Sequence, residues 1–360
     1  MAAQTETKNE PKTVHGNFFE DFSEGQVLRH ATPRTVTNGD RALYTALTGA
    51  RFALHSSDEF ARALGLPGAP LDDLLVFHVV FGKTVPEVSL NAVANLGYAA
   101  CVFGAPVYPG DTLSTTSRVI GLRENSNRKT GVVYVHSTGV NQHGETVLDY
   151  IRWVMVNKRD PAAPAPEPVL PDLPQAVAPE ALRVPPELDL STYDVTPAGG
   201  RHLWDDYEVG ERIDHMDGMT LEEAEHQMAT RLYQNTARVH FDLHGVKGGR
   251  FGRRIVYGGH IISLARALSF NGLANAFRIA AINGGRHTAP SFAGDTIYAW
   301  SEVREKFALP GRTDLGALRL RSVATKDQPC ADFPLTGEDG KPHPAVVLEL
   351  DYTVLMPRRA

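Results

Sequence analysis

Pro106-Val107-Tyr108-Pro109-Gly110-Asp111-Thr112-Leu113 returns as Pro290-Ser291-Phe292-Ala293-Gly294-Asp295-Thr296-Ile297, 184 positions later. Upstream, Phe19-Glu20-Asp21-Phe22 and Gly25 are echoed at a spacing of 185 by Trp204-Asp205-Asp206-Tyr207 and Gly210, His30 by His215, and His55 by His240. A spacing held over so long a stretch means two copies of one fold in a single chain. Two copies need not carry the same chemistry, so the question becomes which half holds an active site.

The copies share one coarse plan. An aromatic and acidic opening leads to a helical region, around Asp40–Leu64 in the first copy and Leu221–His244 in the second. An apolar helix follows, Leu71–Val85 and Gly258–Leu273; Leu71, Leu74, Leu75, Phe77, Val79, Val80 and Phe81 cover nearly its whole surface, as in a helix buried all round. Alternating stretches Val132–Val140 and Val147–Val156, joined by Asn141-Gln142-His143-Gly144, predict an antiparallel hairpin. Leu318–Ala324 and Val346–Met356 predict its counterpart. Leu148-Asp149-Tyr150 matches Leu350-Asp351-Tyr352 at a spacing of 202, which puts about 18 extra residues in the second hairpin loop, Asp327–Pro344.

Ten of the 24 prolines fall between Asp160 and Gly200. Proline removes backbone donors and favours extended chain, so this stretch reads as a linker lying over the surface. The expected organisation is a disordered tail over 1–15, a first unit over 16–159, the linker over 160–200 and a second unit over 201–360. A buried helix followed by long antiparallel strands predicts an α+β unit, a curved sheet wrapped around one helix. Joining two such sheets edge to edge removes an unpaired edge, so the two units are expected side by side as one body.

A length of 360 residues with 42% hydrophobic and 22% charged content suits a globular protein of two domains. A formal charge of −6 argues against a nucleic-acid partner. Two cysteines make neither a disulfide framework nor a metal cluster and point to the cytoplasm. No apolar run approaches the roughly 20 residues of a membrane span, so no membrane partner is expected.

Pro106–Leu113 together with Arg123-Glu-Asn-Ser126 and Gly131-Val-Val resembles the MaoC-like (R)-specific enoyl-CoA hydratase/dehydratase family. The resemblance covers both halves apart from tail and linker. It implies a tandem hot dog fold, two curved antiparallel sheets each wrapped around a central helix. It also implies an acyl-CoA substrate and no cofactor or metal, coenzyme A being part of the substrate; fused hot dogs often pair again, so a homo-oligomer is expected. The family's motif Ser/Thr-Gly-Asp-x-Asn-Pro-hydrophobic-His falls on Thr48-Gly49-Ala50 to His55 and on Tyr233-Gln234-Asn235 to His240. Its aspartate is therefore Ala50 in one copy and Asn235 in the other. An alanine cannot position water; an asparagine keeps hydrogen bonds but is no base.

His240 is accordingly the expected proton carrier, with Asn235 orienting water or the imidazole, and His55 is read as a relic or a structural residue. Gly258 and Gly259 open the second apolar helix, where free N–H groups and the helix dipole could hold a thioester oxygen as negative charge develops; the alternative is a tight turn that needs glycine for packing. His260 beside them is expected to pack. Further stretches, among them Val76–Pro86, Asn91–Tyr98 and Asp149–Val156, resemble a branch of the family acting on a carboxylate-bearing enoyl-CoA in the ethylmalonyl-CoA route of acetyl-CoA assimilation. Such a substrate needs a cation, and Arg250, Arg253 and Arg254 before the glycine pair are the expected partners. Arg123, Arg128 and Lys129 read as a solvated loop. The competing readings are a general enoyl-CoA hydratase and a non-catalytic acyl-CoA binder.

Overall fold

In the computed structural model, which describes residues 12–337 and 339–359, eleven strands form one antiparallel sheet. The first half supplies β1 (Val27–Thr35), β2 (Ala92–Phe103), β3 (Thr112–Glu124), β4 (Thr130–Val140) and β5 (Thr146–Asn157). The second supplies β6 (Arg212–Asp214), β7 (Met219–Thr220), β8 (Arg278–His287), β9 (Thr296–Ala308), β10 (Leu315–Lys326) and β11 (Val346–Pro357). The strand order is β1-β3-β4-β5-β2-β8-β11-β10-β9-β6, with β7 paired to β9. The halves meet edge to edge where Cys101 and Val102 of β2 pair with Ile282 and Ala281 of β8. Neither inner strand is left as an exposed edge. The loop from Asp327 to Ala345 separates β10 from β11, where the longer second connection was expected.

The helices that matter for the site are α1 (Asn38–Thr48), α2 (Asp73–Thr84), α3 (Glu223–Leu232) and α4 (Gly258–Leu268). Every residue of α2 is buried, as its all-round apolar pattern demands. α2 packs on β1, β3 and β5, and α4 in the same way on β9, β10 and β11. Gly82 lets the carbonyl of Tyr233 pass so close that a Cβ there would lie 1.9 Å from its oxygen. Across this seam His78 and Ser263, 185 residues apart, bond to each other at 2.8 Å, and the Tyr44 hydroxyl donates to the same Ser263 oxygen at 2.9 Å.

The echoed pair His30 and His215 proves structural. Each Nε2 meets a serine, Ser117 or Ser301, at 2.8 Å, and each serine meets a second, Ser137 or Ser322. The proline-rich stretch runs over the surface, yet Val177, Leu182, Leu188 and Leu190 join Leu54, Leu64 and Phe277 in an apolar cluster between the halves. Residues 1–11 of the expected tail lie outside those described.

Candidate active site

A cavity of about 330 Å³ opens between the halves. The second half lines it with Asn235, His240, Tyr257, Gly258, Gly259 and His287, and the first with Phe81, Ser89, Asn95, Tyr98 and Arg152. The chain around His240 is pinned at two points, by Ile255 N–H to the Val239 carbonyl at 3.1 Å and Val256 N–H to the Ser291 carbonyl at 2.9 Å.

Nδ1 of His240 lies 2.9 Å from the carbonyl of Ile255. A carbonyl can only accept, so the proton sits on Nδ1 and the lone pair on Nε2. Burial pushes the imidazole down to about 4. At neutral pH it is an uncharged base.

Asn235 is 5% exposed, and its Oδ1 accepts the Ala237 N–H at 3.0 Å. With the oxygen tied back, the amide offers the cavity its N–H donors; it can orient water but cannot take its proton. Gly258 and Gly259 are the first residues of α4, where N–H groups have no acceptor within the helix, and the Tyr257 side chain does not cap them. His260, one residue on, is buried inside the helix packing, and burial holds it down to about 4.

His287, at the end of β8, was not anticipated. Its ring lies against the start of α4: a Cβ on Gly258 would be 2.6 Å from its Nε2. That nitrogen is buried with no hydrogen-bond partner among the described residues, and burial, with the His240 charge as the lesser cause, pushes the ring down to about 4. A signal was present in the repeat. His287 is the counterpart of Phe103 at a spacing of 184, and both occupy the same place in their sheets, opposite Leu348 and Leu148.

The same place in the first half is closed. His55 repeats the His240 geometry, Nδ1 facing the Pro70 carbonyl at 3.3 Å. Around it Ala50 replaces Asn235, Asp73 replaces Gly258 and Phe103 replaces His287. The Asp73 carboxylate lies 3.6 Å from His55 Nε2, accepts the Ile279 N–H at 2.8 Å and faces Arg278 Nε at 3.5 Å. Only crevices of about 10 Å³ remain beside these residues.

The three arginines selected for the substrate carboxylate are placed elsewhere. None lines the cavity. Arg250 and Arg253 are exposed, stacked on Phe251 and Phe292, and Arg254 is paired with Glu223. Their loop is polar and glycine-rich, and Phe251, its one large apolar side chain, stays 39% exposed. An open cleft of about 950 Å³ lies near Tyr108, but Asp111, Glu145, Asp149 and Glu187 line it against the single cation Arg183, a poor match for an acyl-CoA anion.

Comparison with known proteins agrees with this architecture. Residues 3–332 match the family model described as mesaconyl-CoA hydratase. The chain is 71% identical to a β-methylmalyl-CoA dehydratase of Chloroflexus aurantiacus, covering 97% of this chain and 99% of that one. It is 59% identical to a mesaconyl-CoA hydratase of Cereibacter sphaeroides, over 96% and 100%. A crystal structure of a MaoC domain protein from Chloroflexus aurantiacus superposes with a TM-score of 0.96 at 70% identity, covering 98% of this chain and all of that one. A double-hotdog protein of Mycobacterium tuberculosis superposes with a TM-score of 0.78 at 28% identity, over 96% and 99%. With its two hot dog units fused in one sheet, the chain belongs to the mesaconyl-CoA hydratase family.

Proposed function

We propose that the protein interconverts mesaconyl-CoA and β-methylmalyl-CoA by reversible addition of water, and that the cavity around His240 is where this happens. Water held by Asn235 and His287 gives a proton to His240 Nε2 while its oxygen bonds to the carbon β to the thioester. The double-bond electrons move toward the thioester oxygen, where the N–H groups of Gly258 and Gly259 meet the developing charge. His240 then returns the proton to the α carbon, so one water is consumed and both its hydrogens are accounted for. Dehydration is the reverse.

The observation that carries this reading is the contrast between equivalent positions. A neutral imidazole with a free Nε2 faces an open cavity in one half, and its twin is closed off by Asp73 and Phe103 in the other. The first half then acts as the substrate's wall rather than as a second centre. Arg250 and Arg253 keep a substrate-binding role of a different kind, toward the phosphates of coenzyme A, since Phe292 beneath Arg253 adjoins the cavity residue Ser291. Two free, buried cysteines suit a reducing cytoplasm. Pairing into homo-oligomers belongs to the same reading and is readable by light scattering.

The test is loss of enoyl-thioester absorbance on mixing with mesaconyl-CoA, with product mass raised by one water. Hydration that vanishes in His240→Ala and persists in His55→Ala supports the assignment. Hydration lost equally in both variants refutes it.

A further inference from the structure

Arg152 is fully buried and, among the described residues, has no carboxylate partner. It extends from the core-facing side of β5, between Tyr150 and Val154, and lines the cavity. Its hydrogen bonds all go to neutral groups: Nη2 donates to Thr84 Oγ1 at 2.7 Å and to Ser89 Oγ at 3.3 Å, and Nη1 donates to Asn95 Oδ1 at 3.5 Å. The guanidinium stacks on Phe81 at 4.3 Å. Among the described residues its Nε has no hydrogen-bond partner, and neither has Nδ2 of Asn95 beside it. At the same register of the second half, opposite Leu320 as Arg152 is opposite Val135, stands the neutral Tyr352.

Arginine stays charged even when burial opposes it, as it does here. A buried cation without a counter-charge is costly, and an unmet N–H on each of two neighbours adds to that cost. A neutral side chain avoids this cost, as Tyr352 does at the same register of the other half. An anion that enters the cavity would relieve all of these deficits together. The planar fork of guanidinium donors, with the Asn95 amide alongside, matches a carboxylate.

We propose that Arg152 and Asn95 form the subsite for the substrate's free carboxylate. The first half thereby sets substrate specificity while the second half supplies the proton chemistry. This rests on the reading of the cavity as a mesaconyl-CoA site. In that substrate the carboxylate is attached to the carbon that receives the hydroxyl, so the subsite lies next to the point of attack and also fixes which carbon faces His240.

The test compares kcat/KM for mesaconyl-CoA and for crotonyl-CoA, which lacks the carboxylate, in wild type, Arg152→Met and Asn95→Asp. Calorimetric binding of free mesaconate to the same proteins gives a readout independent of turnover. The expected result is a loss of at least 10³-fold for mesaconyl-CoA in Arg152→Met, about 10²-fold in Asn95→Asp, and less than 10-fold for crotonyl-CoA in either. Mesaconate binding should be lost in both. An equal loss for the two esters, or unchanged mesaconate binding, overturns the subsite. If Arg152→Met does not fold, Asn95→Asp decides alone. A wild type that binds mesaconate through Arg152 yet hydrates neither ester would refute the proposed reaction and leave the subsite standing.

Discussion

Asp73 stands in the first half where Gly258 stands in the second, and its carboxylate, 3.6 Å from His55 Nε2, fills the space that the cavity keeps open beside His240. One position thus separates a working helix start from a blocked one. Gly258→Asp is expected to abolish hydration by two routes, an anion where negative charge must develop and a Cβ 2.6 Å from the His287 ring. Gly258→Ala should lower kcat by about 10²-fold, the scale of a displaced oxyanion donor. A Gly258→Ala enzyme with normal kcat would remove the helix start from the mechanism.

The two motif histidines should separate cleanly. His240→Gln is expected to lower kcat by about 10²- to 10⁴-fold, since the group that takes the proton from water is gone. His55→Gln should leave kcat within twofold and appear instead as a loss of about 1–2 kcal/mol in chemical denaturation, because its pairing with buried Asp73 is lost.

Asn235→Asp restores the carboxylate that the related motif carries. A negative charge close to His240 stabilises imidazolium, so the imidazole must rise from about 4. The acid limb of the pH–rate profile should move upward by one unit or more. A limb that stays in place would mean that Asn235 does not face His240 across the reacting water.

Acid should weaken the fold before it silences the base. Burial holds His215, His240, His260 and His287 down to about 4, and His78 well below its usual value. Unfolded imidazoles titrate near 6.5, so between about 6.5 and about 4 the unfolded chain binds more protons than the folded one. Stability is therefore full above about 6.5 and falls as pH drops toward about 4, with each buried ring contributing roughly 1–3 kcal/mol. Urea midpoints measured at pH 7.5, 6 and 5 should decrease in that order. A midpoint that is flat across this range would contradict the buried neutral state of these rings.

Arg253→Gln and Arg250→Gln should raise KM for the CoA ester several-fold with little change in kcat, and the effect should shrink at high salt. Free mesaconate, which has no phosphates, should bind these variants as it binds wild type. An equal effect on mesaconate would move the two arginines from the coenzyme to the acyl group.

Much of the fold was legible because it depends on local periodicity and on the repeat. The all-round apolar run at Leu71–Val85 could only be a central helix, and the alternation across Asn141–Gly144 could only be a hairpin. The site was legible only in part. His240, Asn235 and Gly258 follow from motif spacing, and the structure places them on one cavity. The loop arginines were chosen for nearness in sequence, but Arg250 and Arg253 stack on Phe251 and Phe292, Arg254 pairs with Glu223, and the three do not line that cavity. Arg152 carried its own signal, a charge at a core-facing position of an alternating strand, between Tyr150 and Val154. His287 carried a fainter one, a histidine where the repeat has Phe103.

By itself the sequence determined that two equivalent units exist, what secondary structure each contains, and that the motif histidines occupy equivalent places. Those are properties of side-chain order along the chain, set by period and by turn chemistry. Only the tertiary structure decided which histidine faces open space and which residues of the other half stand opposite it. Edge pairing of β2 with β8 brings Arg152 and Asn95 to a cavity whose base lies 88 residues further along the chain from Arg152. Proximity between the two halves is a product of sheet registration and helix packing, and no local pattern encodes it.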